Sequence, residues 1–326
     1  MALAHGANSL FSGRVVALAG GVGGAKLAHG LAQLLPPEQL SIIVNTGDDF
    51  EHLGLLICPD VDTVLYNLAG VNHPQQGWGR ADESFHVLDE ARRLGHDAWF
   101  LLGDKDIALH LMRRQWLDAG LSLTEITSRL AQRLGVWHPV LPMSDEPVRT
   151  VIHTPAGDLP FQEYFVQQRC RPRMMGMTLR GLEKARPTPA VMSALQQADL
   201  IVLCPSNPYV SIGPILALPG VREAVAARPA VAVSPIIGGR ALKGPAAKMM
   251  AEMEAEVSAL GVARHYAGLV RGFVLDASDA PLADDIAGLE IIPLVTDTIM
   301  RDVRERRRLA AEILAFAQDQ LLREVV

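Results

Sequence analysis

Cysteine is scarce in this chain: three in 326 residues, Cys58, Cys170 and Cys204, with no CxxC spacing. An odd, scattered set excludes a disulfide framework and a cysteine-based zinc site, and fits reduced thiols in a cytoplasmic protein. Basic excess is missing too. Thirty Lys and Arg stand against 36 Asp and Glu, a formal charge of −6, which excludes a nucleic-acid-binding surface as the main role. No apolar run approaches the length of a membrane span, so no membrane partner is expected. The first residues lack the basic and apolar regions of a signal peptide, and residues 1–13 read as a frayed terminus. Repeats, low-complexity linkers and a Ser-His-Asp set are also lacking.

What is present is an ordinary globular balance, 49% apolar and 20% charged, in a chain long enough for one elaborated domain. Short Val/Ile/Leu-rich runs predict strands at Val15–Ala19, Ser41–Asn45, Ala98–Leu102, Leu200–Cys204, Ala230–Ser234 and Leu289–Val295. Helical patterns cover Ala25–Leu35, Thr63–Ala69, Glu83–Leu94, Ile107–Ala119, Pro245–Leu260 and Thr298–Gln318. Alternation of this kind predicts an α/β fold with a doubly wound, mostly parallel, Rossmann-like sheet. One interval breaks the rhythm. Ser122-Leu-Thr-Glu125 is a capping box, and Val148–Thr154 and Leu159–Gln167 flank a Pro155-Ala-Gly-Asp158 turn. We therefore expect a single domain over residues 14–326, with an inserted helix plus β-hairpin region at about 120–185.

Ligands of such sheets bind beyond the carboxyl ends of the strands, and each end here carries something unusual. The first runs into Gly20-Gly-Val-Gly-Gly-Ala-Lys26, whose glycines let an anion approach backbone N–H groups at a helix N-terminus. No Gly-Lys-Ser/Thr closes it as a P-loop, and Lys26 stands where a dinucleotide fingerprint has its third glycine. The second ends in Asn45-Thr-Gly-Asp48-Asp49, with Asp60 and Asp62 soon after. Carboxylates beside a phosphate loop would repel the ligand unless a divalent cation, naturally Mg2+, sat between them. Asp49 and Asp62 are the candidate metal and catalytic residues; Asp60 reads as a turn residue. Gly77-Trp78-Gly79-Arg80 offers an aromatic and a guanidinium, and Leu102-Gly-Asp-Lys-Asp106 a glycine turn before a capped helix. Pro205-Ser206-Asn207-Pro208 is a rigid, uncharged hydrogen-bonding loop, and Gly238-Gly239-Arg240 with Lys243 is a second glycine-rich turn with cations. Gly21, Gly23, Gly24, Gly238 and Gly239 are thus candidates for phosphate contact, with Arg240 and Lys243 beside them. Ser206 and Asn207 are candidates for the nucleoside.

The ordered set resembles a known family. Beyond those segments it includes Cys58-Pro-Asp-Val-Asp-Thr63, Leu141-Pro-Met-Ser-Asp145, Phe161-Gln-Glu-Tyr-Phe165, Arg169-Cys-Arg-Pro172, Ser234-Pro-Ile-Ile-Gly-Gly239 and Lys243-Gly-Pro245. The chain resembles the 2-phospho-L-lactate transferase family (CofD-like) of coenzyme F-420 biosynthesis from Arg14 to the last helix. Where that family commonly has Asp-Thr-Phe, this chain has Glu83-Ser84-Phe85. The resemblance implies a Mg2+-dependent transfer of a phosphorylated three-carbon acid from a GDP-linked donor to the ribityl hydroxyl of the deazaflavin Fo, releasing GMP. It also implies a homodimer, and an Fo pocket bordered by Asp49, with Trp78, Arg80 and Met143 as further Fo neighbours. The alternative is a non-catalytic nucleotide-binding regulator sharing the glycine loop and sheet. A nicotinamide dehydrogenase would need a third glycine and a proton-shuttling His or Tyr-x-x-x-Lys pair, and the chain has neither.

Overall fold

Short aliphatic segments build the centre of the molecule, a computed structural model that describes residues 11–322. Val15–Ala19 is buried at every position, and its side chains alternate between two faces, so both faces need cover. Val15, Ala17 and Ala19 enter one core with helices Gly21–Ala32, Pro59–Leu68 and Val303–Phe316. Val16 and Leu18 enter a second core with helices Pro189–Gln197, Val221–Ala226 and Ala259–His265.

Among the described residues the central sheet has seven strands, all parallel. In chain order they are Val15–Ala19, Leu40–Val44, Val140–Pro142, Leu200–Leu203, Ala230–Val233, Gly272–Asp276 and Ile292–Thr296. Across the sheet they run third, second, first, fourth, fifth, sixth, seventh. Val15 therefore pairs with Leu40 on one side and Leu200 on the other. Winding reverses at the first strand, which opens a crevice between the carboxyl ends of the first and fourth strands. This is the expected doubly wound, Rossmann-like class.

Several elements differ from expectation. Ala98–Leu102 joins no ladder; its apolar run packs aromatic rings instead, Trp99 stacking on Phe50 at 5.6 Å and Phe100 meeting it edge-on at 4.9 Å. The third strand is Val140–Pro142, a short edge strand hidden among prolines 139 and 142. The sixth, Gly272–Asp276, also went unrecognised. Leu159–Gln167 splits into strand Gly157–Pro160 and a helical turn Glu163–Gln167. Pro245–Leu260 is two helices, Ala246–Glu252 and Ala259–His265, broken where Glu254 takes a left-handed φ of 57°.

Within residues 120–185, the capped helix Leu123–Arg133 and strand Val140–Pro142 extend the main sheet. Strands Arg149–Thr154, Gly157–Pro160 and Gly176–Arg180 form a separate antiparallel sheet. The frayed terminus was expected at residues 1–13; residues 1–10 lie outside the described residues, and Phe11 already packs into the core.

Candidate active site

A cavity of about 990 Å³ occupies the switch point. Loops after the first, second, fourth, fifth and seventh strands line it, and the small sheet adds Phe161, Gln162 and Phe165 from one side.

The glycine loop is clamped before any ligand arrives. Gly20 donates its N–H to Ser206 Oγ at 3.2 Å, and Ser206 Oγ–H donates back to the Gly20 carbonyl at 2.8 Å. Gly21, at φ +61°, donates its N–H to Asp60 Oδ1 at 2.7 Å. A Cβ on Gly23 would collide with the Pro205 carbonyl, and one on Gly24 with Ser206 Oγ and Ala19. Gly24 thus serves helix–strand packing and does not line the cavity, whereas Gly21 and Gly23 do. The first-turn amides of Val22 and Gly23 have no intrahelical acceptor and stand at the cavity wall. Asn207 lines the cavity, but its Oδ1 caps the next helical turn, accepting from Tyr209 N–H at 2.9 Å.

The structure redistributes the four carboxylates. Asp48 and Asp60 line the cavity; Asp49 does not. Asp60 accepts from Gly21 N–H and from Asn45 Nδ2 at 2.9 Å, while Asp48 Oδ1 is buried without a partner. Burial and the neighbouring charges of Asp60 and Asp49 push the Asp48 carboxyl well above the usual range. Burial raises Asp60 as well, against the bonds from Asn45 and Gly21. Asp49 is turned inward toward Cys58 and Arg149, and burial lifts it to about 7.

Helix Pro59–Leu68 begins earlier than expected, so Asp60 and Asp62 both lie in its first turn, two residues apart and on different faces. Asp62 lines the cavity, but both of its oxygens accept from the fully buried Arg113: Oδ2 from Nη1 at 3.1 Å, Oδ1 from Nη2. Its charge is already compensated, unlike that of Asp48. Among the described residues no three His, Cys, Asp or Glu side chains form a ready metal cage. Two neighbouring cavity-lining carboxylates, one with an orphaned oxygen, nevertheless fit a small divalent cation that keeps water and phosphate oxygens as its other ligands.

Cations gather elsewhere along the cavity. Lys26 and Lys243 both line it. Lys26 Nζ donates to the Met300 carbonyl at 2.7 Å, and Lys243 Nζ to the Gln75 and Gln76 carbonyls at 3.2 and 2.5 Å. Burial, Arg306 and Lys243 together hold Lys26 below the usual lysine range. The second glycine turn closes a hairpin beside the cavity. Gly238 and Gly239 take φ +55° and +72°, closing a tight hairpin between Ile236–Ile237 and Arg240–Ala241. Gly238 N–H donates to Asp279, and neither glycine nor Arg240 lines the cavity.

The remaining wall is aromatic: Trp78, Trp99, Phe100, Phe161 and Phe165, the last two stacked at 5.6 Å. Arg80 stands outside the cavity, its guanidinium over the Tyr66 ring at 5.7 Å. Met143 is fully buried in the second core.

Residues 15–291 match the family model described as 2-phospho-L-lactate transferase CofD. The chain belongs to that family. It is 41% identical to a phosphoenolpyruvate transferase of Streptomyces griseus subsp. griseus, covering 94% of this chain and 99% of the relative. It is 37% identical to a 2-phospho-L-lactate transferase of Methanococcoides burtonii, covering 93% and 99%. A UPF0052-family protein from Bacillus halodurans shares the fold, with a TM-score of 0.60 at 17% identity over 93% of this chain and 99% of that one. Membership of the CofD family makes this chain a phosphoacid transferase of coenzyme F-420 biosynthesis.

Sequence reasoning passed over several cavity residues of this CofD-family transferase. Asp48 and Asp60 are present as motif letters, but only the backbone decides which of two near neighbours faces the cavity. Trp99 and Phe100 were assigned to a strand. The Gly-Asp-Lys-Asp106 motif predicts a helix start, and that helix brings both Asp106 and His110 to the cavity wall. Glu83, at the departure from the family pattern, accepts from the Lys105 and Asp106 amides at 2.8 and 2.9 Å and so caps that helix.

Proposed function

We propose that this protein transfers a phosphorylated three-carbon acid from a GDP-linked donor to the terminal hydroxyl of the deazaflavin Fo. The hydroxyl oxygen bonds to the phosphorus that bears the acid, the bond from that phosphorus to the GMP oxygen breaks, and GMP leaves. The observation that carries the reading is the acidic pair Asp48–Asp60 beside the glycine loop, in one cavity with Lys26, Lys243 and an aromatic wall. A planar ring suits the wall of Trp78, Trp99, Phe100, Phe161 and Phe165. Donor phosphates suit the amides of Val22 and Gly23 and the charges of Lys26 and Lys243.

Mg2+ would be held by Asp48 and Asp60, and would supply neutralisation of charge on the transferring phosphoryl group. Asp49 and Asp62 take supporting roles: Asp62 anchors Arg113, and Asp49 sits behind the loop that presents Asp48. Asp48 also accepts the hydrogen bond of the attacking hydroxyl and takes its proton as the new P–O bond forms. Five relatives named phosphoenolpyruvate transferase are 40–43% identical, and three named 2-phospho-L-lactate transferase 37–39%, so enolpyruvate is the first donor acid to test. A cytoplasmic homodimer completes the proposal. No described helix is long and apolar enough to cross a membrane.

The test is mass spectrometry of protein incubated with Fo, Mg2+ and lactyl, enolpyruvyl or phosphoglyceryl GDP-linked donors. An Fo-phosphoacid product with matching GMP identifies the donor by mass. Folded protein that binds guanine nucleotide but turns over none of the three would favour the regulator.

A further inference from the structure

Asp106 and His110 lie one turn apart on helix Asp104–Asp118 and both line the cavity, yet the transfer chemistry above gives them no role. Their protein contacts fix what each can offer a ligand. Arg113 Nη1 stands 2.9 Å from His110 Nδ1, and since a guanidinium only donates, Nδ1 must accept. The neutral ring then carries its proton on Nε2. That atom is buried, lies 3.4 Å from Asp106 Oδ1 and has no hydrogen-bond partner. Asp106 Oδ1 accepts from Tyr66 O–H at 2.5 Å, and among the described residues no hydrogen bond reaches Oδ2. Against burial, His110 and Tyr66 hold the Asp106 carboxyl below the usual range, so it is an acceptor only.

An open acceptor beside an N–H donor that meets only Asp106 Oδ1, too poorly placed at 3.4 Å for a hydrogen bond, suits a group that both donates and accepts. A hydroxyl does so; a phosphate would meet the Asp106 charge, and an apolar surface would leave both atoms unsatisfied. Resting on the proposed function, we infer that Asp106 and His110 form a hydroxyl-binding subsite that holds the non-reacting hydroxyls of the acceptor's polyol chain. The nucleoside ribose of the donor carries the same chemistry. Placement favours the acceptor: Asp106 comes shortly after Trp99, Phe100 and Leu101, which line the same cavity, whereas Lys26 belongs to helix Gly21–Ala32 and Lys243 to the loop after Arg240–Ala241. Tyr66, Arg113 and Asp62 act as positioning residues behind the pair.

The experiment compares two acceptors, Fo and an analogue that keeps the ring and terminal hydroxyl but lacks the other hydroxyls, in wild type, Asp106→Asn and His110→Gln. Binding is read from deazaflavin fluorescence and turnover from product mass, with GDP titrated in parallel and melting recorded for each variant. The expected result is a loss of Fo affinity of about tenfold or more in each variant, with analogue and GDP affinities within twofold of wild type. Equal losses for both acceptors would make the pair structural, and weakened GDP with unchanged Fo would move the subsite to the donor ribose. Unchanged Fo affinity would also overturn the inference. Because binding is read apart from turnover, a wild type that binds Fo but transfers nothing would sink the proposed reaction and leave the subsite standing.

Discussion

Asp48 and Asp49 are neighbours in the chain and look to different sides. Each buries an unpartnered Oδ1, but Asp48 lines the cavity and Asp49 does not, and burial raises Asp49 to about 7. A carboxyl raised in the folded state binds a proton that the unfolded chain has already released between about pH 4 and 7. Its contribution to stability is therefore best below that window, falls as pH rises through it, and levels off above 7. Asp49→Asn removes this slope. In urea titrations of metal-free protein the variant should gain up to about 4 kcal/mol over wild type at pH 8, and less than half of that at pH 5. A gain independent of pH would contradict the assignment. The choice between these two aspartates was not legible in the sequence, because both follow Gly47 and only the loop's path separates them. Asp60 and Asp62 pose a related problem: once Pro59 starts the helix, two residues rotate the side chain to another face, and only the structure shows that Asp62 is engaged by Arg113. Glycines are legible as a motif but not by role, since a glycine that relieves packing, as Gly24 does, and a pair that turns a hairpin, as Gly238–Gly239 does, look alike in sequence.

At the scale of elements, the helices around the cavity are locked by close approach and buried charge. Helix Gly21–Ala32 crosses Val303–Phe316 at Gly30, where a Cβ would collide with the Arg306 carbonyl. Gly30→Ala should force the helices apart and destabilise by about 1–3 kcal/mol, lowering the thermal midpoint, even though alanine is the better helix former. Helices Pro59–Leu68 and Asp104–Asp118 are joined through Asp62 and Arg113. Arg113→Met would leave Asp62 buried beside an apolar chain, at about 3–5 kcal/mol. The double variant with Asp62→Leu should recover part of that loss; a double variant no better than Arg113→Met would show that the arginine acts through packing alone. Strands one, two, four and five were legible because both of their faces are buried and the runs are continuously apolar. Val140–Pro142 was not, since a three-residue edge strand bracketed by prolines carries neither length nor alternation. Ala98–Leu102 looked like a strand for the converse reason: composition registers burial, and its burial comes from aromatic packing rather than a ladder.

The whole molecule carries a formal charge of −6 and is proposed to bind an anionic donor. Long-range attraction cannot supply that; the local field of the cavity must. Lys26 and Lys243 attract phosphate, while Asp48 and Asp60 oppose it until a cation lies between. Two consequences separate this account from one in which the carboxylates merely shape the loop. In wild type, chelating Mg2+ should weaken GDP binding by about tenfold or more, and Mg2+ should raise the thermal midpoint of the free protein. In Asp48→Asn with Asp60→Asn, both responses to Mg2+ should vanish, and at alkaline pH, where the raised carboxyls of the pair have ionised, metal-free GDP should bind more tightly than to metal-free wild type, because the opposing charges are gone. Calorimetric titration of GDP with and without Mg2+, at two salt concentrations, reads all of this. Salt should weaken GDP binding in both proteins through Lys26 and Lys243. Metal-free affinity unchanged by the double substitution would mean that the pair does not face the phosphates, and the metal would have to be sought elsewhere in the cavity.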